Sequence, residues 1–465
     1  MEPTLELQIE KFSLKGYGLV RLQRIAPLPP LEVEVAHTLP GDRVQVEMRK
    51  KVRGTRKGRL LEVLEASPAR VEPACKHARV CGGCCWQQMS YEAQLREKEE
   101  RVRKTFGPAV AVSPIVPAES IFRYRNKMEF SFSENRGGMR YLGLMIAQAE
   151  PYVFNVEECH LCSTWFSDVL NRVRTWWEGS GLKAYDPPRD EGTLRYLTLR
   201  EAFRTGQKMA VLNVSGNPTF APSREQLDGF VAAVRSVLPP EEPISLFLRI
   251  HQTKKGRPTH FYEMHLGGPD HIVEELHLQG GKLSFKISPS SFFQPNTAQA
   301  EKLYNLALET IRSLQPSVVY DLYCGTGTLG MAASRFARQV VGIEISPEAL
   351  LDAEQNLKGN GLQNCTFHQG DVGQVLTRLL AQPSFQRPDV VIVDPPRAGL
   401  DPLALRHLQT LSPKAILYIS CNPLTQAENI RELTQAGYQL LSLQPLDQFP
   451  HTYHIENIAL LARKR

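Results

Sequence analysis

Ser317-Val-Val-Tyr-Asp-Leu-Tyr-Cys-Gly-Thr-Gly-Thr-Leu-Gly330 decides the architecture of the carboxyl-terminal part of the chain. An apolar run breaks at a glycine-bearing turn and resumes as small and apolar residues, which reads as strand, loop and helix. Gly325, Gly327 and Gly330 let a ligand approach the backbone at the amino end of that helix. Gln339-Val-Val-Gly-Ile-Glu344 is the next strand, and Glu344 lies 19 residues after Gly325. A carboxylate so placed can accept hydrogen bonds from both hydroxyls of a ribose. Ser346 and Pro347 then cap and start a helix, with Leu350, Ala353 and Leu357 as its apolar stripe before Gly359 and Gly361. A Rossmann-like α/β sheet is expected over residues 286–465. Its glycine loop implies a nucleoside-containing ligand, either a dinucleotide or S-adenosylmethionine.

Two later stretches discriminate between these. Asp389-Val-Val-Ile-Val-Asp-Pro-Pro-Arg397 is a strand that ends in prolines, which leave carbonyls unpaired and aimed at the cleft. Dinucleotide dehydrogenases have no need of that feature, whereas methyltransferases that act on nucleobases commonly present such a tetrapeptide to the base. Ala415-Ile-Leu-Tyr-Ile-Ser-Cys-Asn-Pro423 is a buried strand stopped by Asn-Pro, so Cys421 stands at a strand's carboxyl end, where open α/β sheets bind ligands. A lone cysteine usually only packs. Here Leu446-Asp-Gln-Phe-Pro-His-Thr-Tyr-His-Ile-Glu456 converges on the same edge and brings Glu456 as a proton-handling carboxylate.

Upstream, the 465 residues leave room for about two further domains. Residues 1–65 alternate apolar and polar in Leu5–Glu10, Leu31–Val35 and Arg43–Glu47, which predicts a small antiparallel barrel. Arg49-Lys-Lys-Val-Arg-Gly-Thr-Arg-Lys-Gly-Arg59 carries seven cations and no acid, a plausible site for a phosphate backbone. Residues 66–285 form a β-rich middle. It contains Cys75, Cys81 and Cys84 on a glycine-bearing loop, followed by Cys159 and Cys162; such thiols could hold zinc or an iron–sulfur cluster. Tyr91–Phe106 reads as an exposed amphipathic helix. Arg123–Phe132 reads as a strand with cations on one side. Nine cysteines are too few for a disulfide scaffold in so long a chain, and no run reaches the length of a membrane span. A cytoplasmic protein is expected.

Taken together, Asp394-Pro-Pro-Arg-Ala-Gly399, Tyr418-Ile-Ser-Cys-Asn-Pro-Leu-Thr425 and the Leu446–Glu456 stretch resemble the 5-methyluridine RNA methyltransferase family. Ser291-Phe-Phe-Gln-Pro-Asn296 is similar to the segment by which that family begins its catalytic domain. The amino-terminal barrel resembles a TRAM domain with an OB-like fold. Cys-x5-Cys-Gly-Gly-Cys is similar to the cluster loop of the 23S ribosomal RNA branch. The resemblance implies methyl transfer from S-adenosylmethionine to carbon 5 of a uridine in RNA, most simply ribosomal, with no membrane and no obligate protein partner. It implies a [4Fe-4S] cluster on Cys75, Cys81, Cys84 and Cys159, with Cys162 as an extra thiol.

It also implies Cys421 as nucleophile and Glu456 as general base. Gln294, Tyr323, Thr328, Glu344 and Asp371 would surround S-adenosylmethionine, with Asp394 between cofactor and pyrimidine. Nearby backbone or Asn422 would favour the Cys421 thiolate. The other readings are a transfer RNA uridine-5-methyltransferase, methylation of an exocyclic amine, a nicotinamide oxidoreductase, and a non-catalytic RNA-binding factor. Amine methylation leaves Cys421 and Glu456 without work, an oxidoreductase would want a second substrate domain after the glycine loop, and the intact catalytic residues argue against a binding factor.

Overall fold

The computed structural model describes residues 3–23, 30–52, 55–253 and 259–464. Seven strands form the carboxyl-terminal sheet: β1 (Val318–Leu322), β2 (Gln339–Glu344), β3 (Cys365–Gln369), β4 (Val390–Val393), β5 (Ala415–Ser420), β6 (Tyr438–Leu446) and β7 (Glu456–Arg463). Their spatial order is β3-β2-β1-β4-β5-β7-β6. The first five run parallel, while β7 is antiparallel to both β5 and β6. Chain order reverses between β1 and β4, so a crevice opens beyond their carboxyl ends. Leu322 pairs with Val393, and Val393 with Tyr418. The segments that follow β1, β4 and β5 therefore leave one edge side by side. Every position of these three strands is buried, which is why they read as continuous apolar runs rather than alternating ones.

Helices cover both faces: α1 (Thr297–Leu314), α2 (Thr328–Ala333) and α3 (Pro347–Gly359) belong to one layer, and α4 (Val372–Leu380), α5 (Pro402–Leu411) and α6 (Pro423–Gln435) to the other. Leu303, Ala307 and Ile311 of α1 pack with Val319, Ile392 and Leu417. On the opposite face Leu376, Leu405 and Leu408 pack with Val318, Val391 and Ile416. Each helix except α2 begins at a side chain that caps it, from Asn296, Ser346, Asp371, Asp401 and Asn422.

The amino-terminal sheet has six strands, ordered Thr4–Gln8, Arg43–Val52, Thr55–Glu65, Leu31–Val35, Gly18–Leu22 and Lys11–Phe12. Its two edge strands are separated by only Ile9 and Glu10, so the sheet curls round on itself. It is not wholly antiparallel. Thr55–Glu65 inserts between Arg43–Val52 and Leu31–Val35 and runs parallel to the latter. Arg53 and Gly54 of the basic run lie outside the described residues.

A second seven-stranded sheet spans the middle, from the edge strand His260–Gly267 to Val153–Asn155. Helices Thr164–Gly179 and Arg224–Arg235 share a core with it through Phe166, Trp177 and Phe230. The strand expected from Arg123 begins at Lys127 instead. Arg123 takes a left-handed φ of 54°, and its guanidinium donates to the carbonyls of Cys159 and Cys162.

Helix Tyr91–Phe106 is not simply exposed. Lys98 and Val102 are fully buried, and the helix lies against α6. The segment after it continues along the carboxyl-terminal sheet, where Ser113 and Val116 donate to the carbonyls of Leu443 and Pro445 on β6.

Candidate active site

Three chain segments meet beyond the carboxyl ends of β1, β4 and β5. The loop after β4 carries Asp394 and Arg397, the end of β5 carries Cys421, and β7 begins at Glu456. Cys421 is half-buried. Burial, then the Glu456 carboxyl, pushes its thiol up to about 11, while the neighbouring Arg397 guanidinium pulls it down. Glu456 is 4% exposed. Burial, and then Asp394, hold its carboxyl well above the usual range. Asp394 itself is pushed up to about 7 by burial. A buried carboxyl that favours its proton is a strong proton acceptor once ionised, and Asp394, Glu456 and Cys421 lie near enough to influence one another's ionisation.

Asn422 does not serve the thiol. Its side-chain oxygen accepts from the Leu424 amide at the start of α6, and its amide donates to the Arg397 carbonyl at 2.9 Å. Thr425 donates to the same carbonyl. Asn429, which also accepts from Tyr418, accepts from the Leu400 amide. The Asp-Pro-Pro-Arg-Ala-Gly loop is thus tied to α6, and the cation beside Cys421 is Arg397. Sequence reasoning had Arg397 within its motif but gave it no role. Its proximity follows from the β4–β5 register, which no local pattern reports. Arg397 is also 3.5 Å from His454 Nδ1. Burial, and then Arg397, lower His454 to about 4, so it is neutral at physiological pH.

The residues expected around a nucleoside lie along the β1, β2 and β3 edges. Gly325 has a φ of 55°, and a Cβ there would meet nothing within 4 Å, so the loop faces open space. Glu344 accepts from the Gly325 amide at 3.0 Å through one oxygen, and from the Ile345 and Ser346 amides through the other. Its carboxylate is fixed, with acceptor capacity left mainly on the oxygen that faces the glycine loop. Tyr323 is left-handed, with φ 64°, and donates to Asp401. Asp371 caps α4, and Thr328 is buried at the start of α2 in contact with Thr326. Gln294 is buried too, with its side-chain oxygen 3.4 Å from the Gln448 amide of the loop leading to Glu456. Asp321, which the sequence reading passed over, is also buried. Burial and Asp394 raise it to about 7, opposed by the Gly330 amide. Its oxygen leaves no room for a side chain on Gly330, where a Cβ would come within 2.7 Å.

Away from this cleft, Cys75, Cys81, Cys84 and Cys159 line one small cavity. Cys162 does not line it; fully buried, it donates toward the Cys159 carbonyl. Cys85 packs instead with Leu39, Trp86 and Met89. The Gly83 amide donates to Cys81 Sγ at 3.3 Å. Among the described residues, no three His, Cys, Asp or Glu side chains are gathered so as to hold a single metal ion. A groove of about 1530 Å³ borders the amino-terminal sheet and this cysteine loop, lined by Lys15, Arg49, Lys57, Arg59 and Arg79 and also by Glu34 and Glu72.

Residues 264–464 match the family described as tRNA (uracil-5-)-methyltransferase. A protein of Protochlamydia amoebophila named as an uncharacterized RNA methyltransferase is 48% identical over 441 residues, which is 92% of this chain and 99% of that one. The chain belongs to the RNA (uracil-5-)-methyltransferase family. A second RNA methyltransferase, of Chlamydia trachomatis, is 36% identical over 394 residues, 84% of this chain and 98% of its own. The crystal structure of the Pyrococcus abyssi tRNA (uracil-54, C5)-methyltransferase in complex with S-adenosyl-L-homocysteine aligns with 98% of this chain and all of its own, at TM-score 0.71 and 25% identity. This RNA (uracil-5-)-methyltransferase is therefore S-adenosylmethionine-dependent and has the class I methyltransferase fold. Among its described residues, no helix is long and apolar enough to cross a membrane.

Proposed function

We propose that this enzyme methylates carbon 5 of a uridine in 23S ribosomal RNA through a covalent adduct between Cys421 and carbon 6. The observation that carries the mechanism is Cys421 at the carboxyl end of β5, with Arg397 on the loop after the neighbouring β4 and Glu456 at the start of the adjoining β7, both near enough to shift its thiol. Carbon 5 of uracil is too weak a nucleophile to take a methyl group directly. Attack of the Cys421 thiolate on carbon 6 moves the ring's π electrons toward the carbonyl oxygen and makes carbon 5 nucleophilic. Arg397 stabilises the thiolate before attack. When bound, S-adenosylmethionine supplies the electrophilic methyl; Gln294, Tyr323, Thr328, Glu344 and Asp371 would hold it, with Asp394 facing the pyrimidine. Glu456 then takes the proton from carbon 5, the 5,6 double bond re-forms, and the bond from carbon 6 to sulfur breaks to release Cys421 as thiolate. Glu456, held high by its burial, is strong enough for that abstraction. The uridine must leave its stack to reach this cleft, at a cost of about a few kcal/mol.

Support for the ribosomal substrate comes from the cysteine loop and the basic amino-terminal sheet. The four thiols around one cavity, with a backbone amide on Cys81, have the donor chemistry of an iron–sulfur centre held by Cys75, Cys81, Cys84 and Cys159. Four thiolates are equally a ligand set for zinc; the likeness of the Cys-x5-Cys-Gly-Gly-Cys loop to the cluster loop of the ribosomal RNA branch is what favours the iron–sulfur centre. The cluster would tie the loop at residues 75–84 to Cys159. The amino-terminal sheet, read as a TRAM-like module, and the groove it borders would contact the RNA backbone.

A second reading, transfer RNA, is favoured by the name of the Pyrococcus abyssi neighbour, which acts on uracil 54 of tRNA. Mass mapping of 5-methyluridine in ribosomal and transfer RNA from cells lacking this protein separates the two. Loss at a ribosomal site, restored with the gene, is expected. Loss in transfer RNA alone would keep the chemistry and replace the substrate, and no loss anywhere would end the proposal.

A further inference from the structure

Glu456 is delivered to the cleft by the loop that follows β6, and that loop is gripped from elsewhere in the chain. Asp447 is fully buried and ion-pairs with the equally buried Lys98 at 2.5 Å, across 349 residues of sequence. Lys98 also donates to the Phe449 carbonyl at 3.0 Å. One turn earlier on the same helix, Gln94 accepts from the His451 amide at 2.8 Å, and its own amide lies 3.2 Å from His451 Nδ1. The Trp86 amide donates to the His451 carbonyl. His451 has a φ of 66°, a left-handed conformation that a non-glycine residue adopts only when its surroundings impose it.

A buried ion pair is a poor way to add stability, since apolar residues of similar volume often serve as well or better. Its best-attested use is to select one arrangement over others. A buried lysine that donates to both the Asp447 carboxylate and the Phe449 carbonyl fixes the start of this loop at one depth. Gln94 fixes its middle, five residues before Glu456. Neither side chain is exposed, so neither meets RNA.

We propose that Lys98 and Gln94 are positioning residues for the elimination step: they clamp the Asp447–His451 segment so that Glu456 meets the proton on carbon 5. The proposal rests on the reading of Glu456 as base. At saturating S-adenosylmethionine, removing either clamp would leave thiolate attack and methyl transfer intact, because Cys421, Arg397 and the glycine loop lie on other segments; saturation is needed because Gln448, inside the clamped segment, touches Gln294. It would slow the step in which Glu456 takes the carbon 5 proton and Cys421 departs. A misplacement of about 1 Å can cost roughly a hundredfold.

The test uses the full-length enzyme and total ribosomal RNA from cells that lack it, in single turnover at saturating S-adenosylmethionine, with the methylated protein–RNA adduct followed on denaturing gels. Lys98→Met and Gln94→Met are compared with Glu456→Gln and the wild type. The expected result is adduct formation at the wild-type rate with adduct decay slowed about a hundredfold in both clamp variants. A general loss of fold would instead lower formation and decay together. Should Lys98→Met not fold, Gln94→Met carries the test alone, because it removes only neutral hydrogen bonds. Decay at the wild-type rate in Gln94→Met, with adduct accumulating in Glu456→Gln, overturns the clamp and leaves the base standing. Free methylated product from Glu456→Gln without accumulation overturns the base, and the clamp with it.

Discussion

At the scale of single residues, the proposed chemistry depends on a thiol that its burial keeps protonated at neutral pH. Burial holds Cys421 near 11, and Arg397 opposes that shift. The thiolate fraction should therefore rise about tenfold per pH unit from neutrality until the pH nears that value, since one unit of pKa is a tenfold change in the ratio of forms. Removing Arg397 removes a favourable charge from the ionised form, so Arg397→Met should push the thiol higher still and lower the thiolate fraction at any given pH. Iodoacetamide labelling of Cys421, read by peptide mass spectrometry between pH 7 and 10, checks the sign. Faster labelling of Arg397→Met than of wild type would remove Arg397 from its proposed role. Cys421→Ala should abolish turnover while S-adenosylmethionine still binds, as calorimetry would report; methylation that survives in that variant would remove the covalent mechanism. Glu456→Gln should leave a methylated adduct on Cys421, because the carbon 5 proton then has no acceptor.

At the scale of elements, α6 both ends the nucleophile's strand and anchors the loop after β4. Asn422 joins these functions by capping α6 and donating to Arg397. Asn422→Ala should cost about 1 kcal/mol, chiefly from the lost cap, because the bond to the Arg397 carbonyl is exposed. It should also lower kcat by freeing the Asp-Pro-Pro-Arg loop. Urea denaturation and steady-state kinetics would measure the two effects, and an unchanged kcat would show that the loop holds itself. Strands β1, β2, β4 and β5 and helices α2 and α3 were legible because their signals are local, namely apolar runs, a glycine turn and the Ser346-Pro347 cap, whereas α4, α5 and α6 went unread although Asp371, Asp401 and Asn422 cap them. What stayed hidden depends on register or on distant partners. Arg397 meets Cys421 only because β4 lies beside β5. Lys98 sits on a helix so rich in charge that it reads as solvated, and its partner is 349 residues away. Thr55–Glu65 opens on cations and shows no clean alternation, and nothing in its sequence says it will lie parallel to Leu31–Val35.

At the scale of the whole molecule, the loop leading to Glu456 is where the modules meet. The Trp86 indole donates to the Gly16 carbonyl in the amino-terminal sheet's first hairpin. A Cβ on Gly16 would come within 2.9 Å of Tyr453, so hairpin, cysteine loop and catalytic loop stack closely. RNA held by the amino-terminal sheet would thereby be held in a fixed relation to the cleft, which gives the proposed contact of the basic run a test apart from the chemistry. Arg49 and Arg59 both pair with Glu47, at 2.6 and 2.8 Å, so only part of their charge is free for phosphate. Replacing both with Gln also leaves Glu47 uncompensated. If both arginines reach phosphates, the slope of log affinity against log salt should fall by about 1.4, at roughly 0.7 per cation for single strands. S-adenosylmethionine affinity and kcat at saturating RNA should stay as they were, because neither depends on this sheet. Filter-binding titrations across a salt series would measure the slope. An unchanged slope would mean that the RNA tracks another face of the molecule, and a fall in kcat at saturating RNA would mean that the sheet also shapes the catalytic loop.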